Sequence, residues 1–332
     1  MPTAAVPAPV RQLEAGHIAE LTAIAAELLD IHGSATSPAL LADLPQVRAR
    51  LSAGLHHVLR PVDTADGLFV VRGLTVDDAE LGATPGHWST VGDAGARWDV
   101  VLLLVSTLMG TPIAWDGQQD GRFVHNIVPS PGHETVQTGA SSSVLLTPHT
   151  EDAFHPGRAH LLLLCCMRNH DAVATTAASI RLAELSDDDL ARLGRPAAPI
   201  LPDDAYEDAQ RFGGRPDPVP TLFTAADGGL TLRYDPAYTP LDGTDEDWRA
   251  AYGRLAEELA RVSVAVSLEP GDVLVVDNDM VVHGRVPFTA RYDGTDRWLK
   301  RASVRVPGRR TRPDAEQGEH GYGQAALEAW AA

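Results

Sequence analysis

The N-terminal third of the chain mainly shows the hydrophobic spacing of helices, with aliphatic positions three or four residues apart. This spacing predicts a helix over residues 13–29, and one face of it carries Ile18, Leu21, Ile24, Leu28 and Leu29. Residues 37–59 predict one or two further helices, interrupted near Pro45 because proline cannot donate a helical hydrogen bond. The run at 96–110 is too long for a buried strand and ends in glycine, which is typical of a helix C terminus. Only "GLFVVRGL" at 67–74 has the pattern of a strand.

From Thr111 onward, short aliphatic and β-branched runs alternate with turn residues. These runs are "TPIAW", "SVLLT", "AHLLLLCCM", "ATTAASI", "LTLRYD", "VAVSL", "DVLVVDNDMVVHG" and "WLKRASVRV". Many short strands with turns between them are typical of a sandwich or barrel. Residues 182–230, rich in Asp, Pro and Gly, are expected to form a loop or lid. Residues 245–262 predict a helix with Trp248, Tyr252, Leu255 and Leu259 on one face.

Composition narrows the class of protein. An apolar fraction of 44% and a charged fraction of 22% are those of a globular protein. Lys and Arg number 27 against 45 Asp and Glu, so the net charge of -18 argues against a nucleic-acid partner and tolerates a small cation. No apolar run approaches the roughly 20 residues that cross a bilayer. Cys165 and Cys166 are neighbours that would face opposite sides of a strand, so we interpret them as reduced residues of a cytoplasmic protein.

One polar cluster has the spacing of metal ligands. His149 and Glu151 lie two residues apart, so in an extended segment both side chains reach one face. Imidazole with carboxylate suits Fe(II), Mn or Zn, and two histidines with one carboxylate and open positions are typical of non-haem Fe(II) oxygenases. The His-x-Glu spacing alone also fits a solvated turn that binds no metal. The segment "LEPGDVLVVDNDMVVHGRVPF" predicts two strands joined by a tight turn, and His283 on the second supplies the other imidazole.

Two arginines follow in "DRWLKRASV", at Arg297 and Arg301. A guanidinium inside a partly apolar strand is costly to bury without an anion, and its planar fork holds a carboxylate at two points. The two arginines therefore predict two carboxylates, one on a co-substrate and one on a substrate. Neither a cupin-like metabolite binder nor a zinc hydrolase, the alternatives for the same ligands, accounts for Arg297.

The sequence resembles the Fe(II)/2-oxoglutarate oxygenases of the clavaminate synthase-like group, which include free-amino-acid β-hydroxylases of peptide-antibiotic pathways. "LLTPHTEDAFHPGRAHLLLLCCMRNHDAVATT", "VVHGRVPFTARYDGTDRWLKR" and "GQQDGRFVHNIVPSPGHE" carry the resemblance, over roughly the central and C-terminal two thirds of the chain. Most of the wider superfamily has HxD, whereas the HxE of this chain matches the narrower group.

The resemblance implies roles for individual residues. His149, Glu151 and His283 would bind Fe(II), and Arg297 would bind the distal carboxylate of 2-oxoglutarate, assisted by Thr175 or Thr176. The implied substrate contacts are Arg301, Gln118 and Asp235. Glu151 and Ser142 are further candidate substrate contacts, and a flexible loop is the alternative for Ser142. In the arginine-hydroxylating members, paired acids grip the guanidinium, but Ala237 stands where a second acid would follow Asp235. Arginine, lysine, citrulline and their relatives therefore all remain open as substrates. The acids Asp203, Asp204, Glu207 and Asp208 are interpreted as a solvated charge run, with steering of a cation as the alternative.

The expected architecture is a mainly β fold, a double-stranded β-helix (jelly-roll) with N-terminal helices on one side. We expect one oxygenase domain over 1–332, with a helical portion at 1–110, the core with its lid at 111–307 and a tail at 308–332. The implied reaction uses Fe(II), 2-oxoglutarate and O2 to hydroxylate an unactivated carbon, C3 or C4, of a free amino acid with a long polar or cationic side chain. Desaturation or cyclisation would share the oxidising step and stays an alternative.

Overall fold

The computed structural model describes residues 8–92, 95–206, 217–225, 227–309 and 312–330. Its helices are α1 (Ala15–His32), α2 (Pro38–Arg50), α3 (Ala53–Val58), α4 (Asp78–Leu81), α5 (Ala96–Met109), α6 (Asp187–Leu193) and α7 (Glu246–Arg261). Its strands are β1 (Val10–Gln12), β2 (Leu68–Arg72), β3 (Thr111–Trp115), β4 (Val124–Ile127), β5 (Leu146–His149), β6 (Leu161–Arg168), β7 (Thr175–Ser179), β8 (Leu222–Thr224), β9 (Leu230–Leu232), β10 (Val264–Val266), β11 (Val273–Asp277), β12 (Val281–Arg285), β13 (Trp298–Arg305) and β14 (Ala326–Glu328).

Two β-sheets form the centre of the molecule, as expected of a mainly β fold with helices. The larger sheet has the strand order β1-β2-β11-β6-β13-β3-β14, with β4 also pairing with β13. The smaller sheet has the order β10-β7-β12-β5, and β8 and β9 form a separate pair. The two long strands β6 and β13 pair antiparallel over most of their length.

The side-chain alternation of β6 explains how the larger sheet is packed on both faces. Leu161, Leu163 and Cys165 pack into a core with helices α1, α2 and α5, while Leu162 and Cys166 face the smaller sheet. The two adjacent cysteines are therefore buried on opposite faces and unpaired, as predicted. Burial raises the pKa of both thiols. The space between the two sheets is thus lined by alternate residues of each.

The helices predicted from spacing are confirmed, apart from the position of one interruption. Leu21 and Leu28 of α1 are buried, and the face of α7 carrying Trp248 and Leu255 packs on the outside of the smaller sheet. The expected break near Pro45 is wrong, because α2 runs through it to Arg50. The adjacent Leu44 is fully buried, so core packing offsets the hydrogen bond that proline removes.

The C-terminal segment is not the tail that the sequence predicted. β14 pairs with β3 at the edge of the larger sheet, and Glu316 and Tyr322 are buried before it. The range 182–230 likewise contains α6 and β8, although 207–216 lie outside the described residues. These elements were missed because they are only three to seven residues long, too short for a local periodicity to identify. No described helix is long and apolar enough to cross a membrane.

Candidate metal centre and substrate pocket

Three side chains of the expected ligand set converge between the two sheets. His149 ends β5 and His283 lies on β12, and the two residues are direct partners across the smaller sheet. Their ring centroids are 4.6 Å apart. Glu151 follows β5, and its Oε2 lies 3.3 Å from His283 Nε2 and 3.9 Å from His149 Nε2. One ligand atom of each residue lies within 4.8 Å of the other two.

Hydrogen bonds to the backbone orient this cluster. His149 Nδ1 lies 2.8 Å from the Thr147 carbonyl oxygen, and donating to it leaves Nε2 with a lone pair for a metal. Asn278 brackets Glu151: its Oδ1 accepts from the Glu151 amide at 2.8 Å, and its Nδ2 donates to the Glu151 carbonyl at 3.0 Å. Asn278 sits in the tight turn before β12, so the turn and the carboxylate ligand are fixed together.

The donor set fits a divalent metal. Glu151 Oε2 is buried and accepts no hydrogen bond from any described residue, which is costly unless a cation completes it. Burial would raise the pKa of Glu151, but Arg301 and then both histidines hold it well below its usual value. Burial by itself would lower the pKa of His149, but the neighbouring Glu151 carboxylate and the charge of Asp235 raise it to about 9. A metal ion would replace that proton.

Arg301 lies beside the cluster on β13 and joins three side chains. Its Nη1 forms an ion pair with Glu151 Oε1, and its Nη2 donates to Gln118 Oε1 at 3.1 Å. The same Nη2 lies 2.9 Å from His125 Nδ1. Burial, and then the charge of Arg301, lowers the pKa of His125 to about 3, so this imidazole is a neutral acceptor. His125 was missed because its strand, β4, mixes buried polar and apolar residues.

Arg297 forms a hydrogen bond with one of the two threonines expected to assist it. Its Nη2 donates to Thr175 Oγ1 at 2.9 Å, and Thr175 is 2% exposed. Thr176 faces the other side of β7. Its Oγ1 is buried without a hydrogen-bond partner among the described residues. The structure therefore places Thr175, and not Thr176, beside Arg297.

Two acids lie near the cluster, one at each end of the range 203–235. Asp235 follows Tyr234, whose carbonyl accepts from the Thr150 amide at 2.7 Å, so it lies alongside the ligand segment. Asp203 lines the cavity that contains His149, Glu151 and His283, so assigning it to a solvated charge run is wrong. Burial, and then the charge of Glu151, raises the pKa of Asp203 to about 7. Glu207 and Asp208 lie outside the described residues.

Three other polar residues near the motif contact different partners. Ser142 is 1% exposed, and its carbonyl accepts from the Phe288 amide and from Arg285, so its contacts lie behind the cavity. His155 Nε2 lies 3.1 Å from the Gln324 carbonyl oxygen and takes no part in the cluster. Asp152 accepts from Trp115 Nε1 at 2.6 Å and from the Tyr206 hydroxyl.

The site opens outward through two connected spaces. An inner cavity of about 60 Å³ is lined by the three metal-ligand candidates, Thr175, Arg285 and Arg297. An outer cavity of about 730 Å³ has Asp116, Asp120, Asp203 and Asp204 in its walls. Arg301 and Asp203 line both cavities, so they lie at the boundary between them.

Comparisons with known proteins agree with this geometry. Residues 42–303 match the model of the taurine catabolism dioxygenase TauD, TfdA family. Enduracididine beta-hydroxylase of Streptomyces hygroscopicus is 37% identical over 327 residues, covering 90% of this chain and 95% of that protein. L-ornithine/L-arginine 3-hydroxylase of Catenulispora acidiphila is 31% identical over 314 residues, covering 85% and 91%.

A solved structure shows the same similarity. The non-haem iron oxygenase OrfP in complex with Fe, succinate and (3S)-hydroxy-L-Arg matches with a TM-score of 0.81 and 37% identity, covering 89% of this chain and 94% of that one. OrfP in complex with Fe and alpha-ketoglutaric acid matches with a TM-score of 0.80 and 39% identity, covering 90% and 94%.

Proposed function

This chain belongs to the taurine catabolism dioxygenase TauD, TfdA family, and we propose that it hydroxylates C3 or C4 of a free amino acid with a long cationic side chain. As a member of that family with these relatives, it is an iron- and 2-oxoglutarate-dependent oxygenase acting on an amino acid. We further infer that its two facing sheets form the jelly-roll of these oxygenases. The substrate, the carbon and the residue roles below are the proposal.

The observation that carries the substrate class is the pair of acids at the site, Asp203 and Asp235. Burial raises the pKa of both carboxyl groups. The charge of His149 acts on Asp235 and that of Arg301 acts on Asp203, but neither carboxylate forms a direct ion pair within the described residues. A guanidinium or ammonium group placed between them would supply the missing counter-charge, and water exclusion would strengthen that attraction. The acidic walls of the outer cavity favour the same kind of ligand.

The other end of the site suits the zwitterionic part of an amino acid. Arg301 presents a guanidinium fork for the α-carboxylate, with Gln118 beside it. Glu151 Oε1, which pairs with Arg301, provides an acceptor for the α-ammonium group. Because Oε2 of the same carboxylate belongs to the metal cluster, an amino acid held here would have its first side-chain carbons beside the metal. This supports oxidation at C3 or C4.

The remaining residues would position the cofactors. His149, Glu151 and His283 would hold Fe(II), and Arg297 with Thr175 would hold the distal carboxylate of 2-oxoglutarate. When bound, iron and 2-oxoglutarate supply the oxidising power, with succinate and CO2 as co-products. The protein contributes the position of the target carbon and the exclusion of water.

The direct test incubates the protein with Fe(II), ascorbate, 2-oxoglutarate and single amino acids, and measures products by mass spectrometry. We expect arginine or lysine to gain one oxygen atom, with one succinate formed per product. Loss of two hydrogens without oxygen gain would instead identify a desaturase or cyclase. Oxidation of neutral amino acids alone would contradict the proposed cationic substrate.

Replacing Asp203 or Asp235 by asparagine tests the acid pair. Each change keeps the shape and removes a charge, so kcat/KM for lysine or arginine should fall about tenfold or more. Citrulline, which is neutral, should lose much less. Asp242→Asn, at an exposed acid that lines neither cavity, is the matched control. If the arginine-to-citrulline ratio is the same in all four proteins, the acids do not contact the side chain.

A further inference from the structure

Arg285 and Arg297 differ from the other buried arginines in their lack of an ion pair within the described residues. Five arginines of the described residues are at most 8% exposed: Arg158, Arg168, Arg233, Arg285 and Arg297. The first three have carboxylate partners, which are Glu316 at 3.2 Å, Asp78 at 2.7 Å and Glu319 at 2.7 Å. Arg285 and Arg297 have no ion-pair partner within the described part of the chain. A buried guanidinium without a counter-ion is strongly unfavourable, so these two arginines indicate an anion-binding site.

The strand geometry directs Arg285 into the inner cavity. It lies two residues after His283 on β12, so both side chains project to the same face of the smaller sheet. Its direct partner on the neighbouring strand β7 is Thr175, whose hydroxyl accepts the hydrogen bond from Arg297. Both arginines line the cavity together with the metal-ligand candidates.

Hydrogen bonds to the 141–144 loop hold the guanidinium of Arg285 in place. Its Nη2 donates to Ser141 Oγ at 3.0 Å and to the Val144 carbonyl at 3.1 Å, and Nη1 donates to the Ser142 carbonyl at 3.3 Å. These acceptors are neutral, so they fix the position of the charge without neutralising it. Arg285 Nε and Arg297 Nε are both buried, and neither has a hydrogen-bond partner in the described ranges of the chain.

The charge of Arg285 also acts on Arg297. Burial, and then the charge of Arg285, lowers the pKa of Arg297 to about 10. The inner end of the cavity therefore carries two positive charges that repel each other until an anion lies between them.

We propose that Arg285 is a second cationic binding residue for the distal carboxylate of the co-substrate and determines selectivity for dicarboxylic 2-oxo acids. The proposal rests on the proposed function in one respect, since it takes Arg297 as the first residue of that carboxylate site. A single carboxylate between two guanidinium groups relieves their repulsion. A 2-oxo acid without a distal carboxylate leaves that repulsion in place, so it binds weakly.

The experiment compares two 2-oxo acids that share the keto-acid end and differ in the distal carboxylate. Binding of 2-oxoglutarate and of 2-oxobutanoate to Zn(II)-loaded protein is measured by isothermal titration calorimetry, so no turnover contributes. In Arg285→Gln, the preference for 2-oxoglutarate over 2-oxobutanoate should fall about tenfold or more, as expected for loss of a charge-assisted interaction. Arg285→Lys, which keeps a charge, should retain part of the preference.

Two further variants separate the possible outcomes. Ser141→Ala removes a contact to Arg285 but leaves its charge, so the preference should stay near that of the wild type. Arg297→Gln should reduce it strongly. If Arg285→Gln weakens both acids equally while Arg297→Gln reduces the preference, Arg285 only packs the 141–144 loop and the inference is wrong. If Arg297→Gln also leaves the preference unchanged, the proposed co-substrate site itself is misplaced. Thermal unfolding of the metal-free variants checks that each protein is folded.

Discussion

At the scale of single residues, different contacts orient the three candidate metal ligands. His149 is oriented through Nδ1 by the Thr147 carbonyl, and the backbone of Glu151 is held by Asn278. His283 Nδ1, in contrast, has no hydrogen-bond partner among the described residues, so packing and strand register alone orient this ring. The carboxylate of Glu151 belongs to the cluster and also pairs with Arg301, so it would link a bound metal to the proposed substrate end.

Removing one imidazole tests the cluster. His283→Ala should lower iron affinity by more than about 100-fold, beyond the 10- to 100-fold that loss of an outer partner costs. Cooperative thermal unfolding should persist, because the alanine only leaves a small cavity in a strand. Metal content by mass spectrometry and unfolding by circular dichroism measure the two effects. His170→Ala, at a half-exposed histidine, is the control and should keep its iron. Full iron loading of His283→Ala would show that the ligand set is wrong.

The two arginines of the β13 region should respond to different ligands. Arg297→Lys replaces a fork by a point charge beside Thr175, so the apparent KM for 2-oxoglutarate should rise about tenfold or more, with little change for the amino acid. Arg301→Lys should show the reverse. Steady-state kinetics with each ligand varied in turn measures this division. Equal effects of both variants on both ligands would refute it.

At the scale of elements, the C-terminal segment supports the ligand segment from behind. Arg233, next to the β9 pair, donates to the Ala153 carbonyl and to the Phe154 carbonyl at 2.9 Å. Its guanidinium also pairs with Glu319 of the C-terminal segment at 2.7 Å. Glu316 pairs with the buried Arg158 at 3.2 Å. The residues after β13 therefore brace the turn that follows Glu151.

Breaking the Arg158–Glu316 pair tests this bracing. Glu316→Gln leaves the Arg158 charge buried with its main partner gone, so the free energy of unfolding should fall by about 3–5 kcal/mol. Glu328→Gln breaks a half-exposed pair with Arg305 and is the control, with an expected loss below about 1 kcal/mol. Urea unfolding measures both. Similar losses for the two variants would show that the C-terminal segment is a dispensable extension.

At the scale of the whole molecule, stability should depend on pH through buried neutral imidazoles. Burial, and then Arg312, lowers the pKa of His160 to about 4 from 6.5. Its Nδ1 accepts from the Val306 amide at 3.0 Å. Between pH 6.5 and about 4, the unfolded chain therefore binds a proton at this position that the folded chain does not. The stabilisation is complete above pH 6.5 and is lost as the pH falls toward 4.

His160→Asn isolates this contribution, because asparagine keeps an acceptor near Nδ1 and does not titrate. As the pH falls from 6.5 to 4, the wild type should lose stability relative to the variant by about 1.4 kcal/mol per pH unit, to a total of at most about 3 kcal/mol. Urea unfolding at several pH values measures the difference. Parallel pH profiles for the two proteins would contradict the lowered pKa.

Local spacing in the sequence determined much of this protein. Helical periodicity identified α1, α5 and α7, and alternation in β6 placed Cys165 and Cys166 on opposite faces. The i, i+2 spacing of His149 and Glu151 set both side chains on one side of their segment. These features follow from backbone geometry within a few residues, so a single stretch of chain contains all the information they need.

Tertiary structure decided which distant residues meet. Strand register placed His283 opposite His149, selected Thr175 over Thr176 and brought Arg285 into the same cavity. The chain just after β9 and the chain near Asp203 placed two acids beside the cluster, although the sequence around Asp203 has the pattern of a solvated charge run. Such contacts depend on how separate strands pair and how loops fold over them, and no local periodicity specifies either. The same reason explains why β14 and the buried ion pairs before it could not be foreseen.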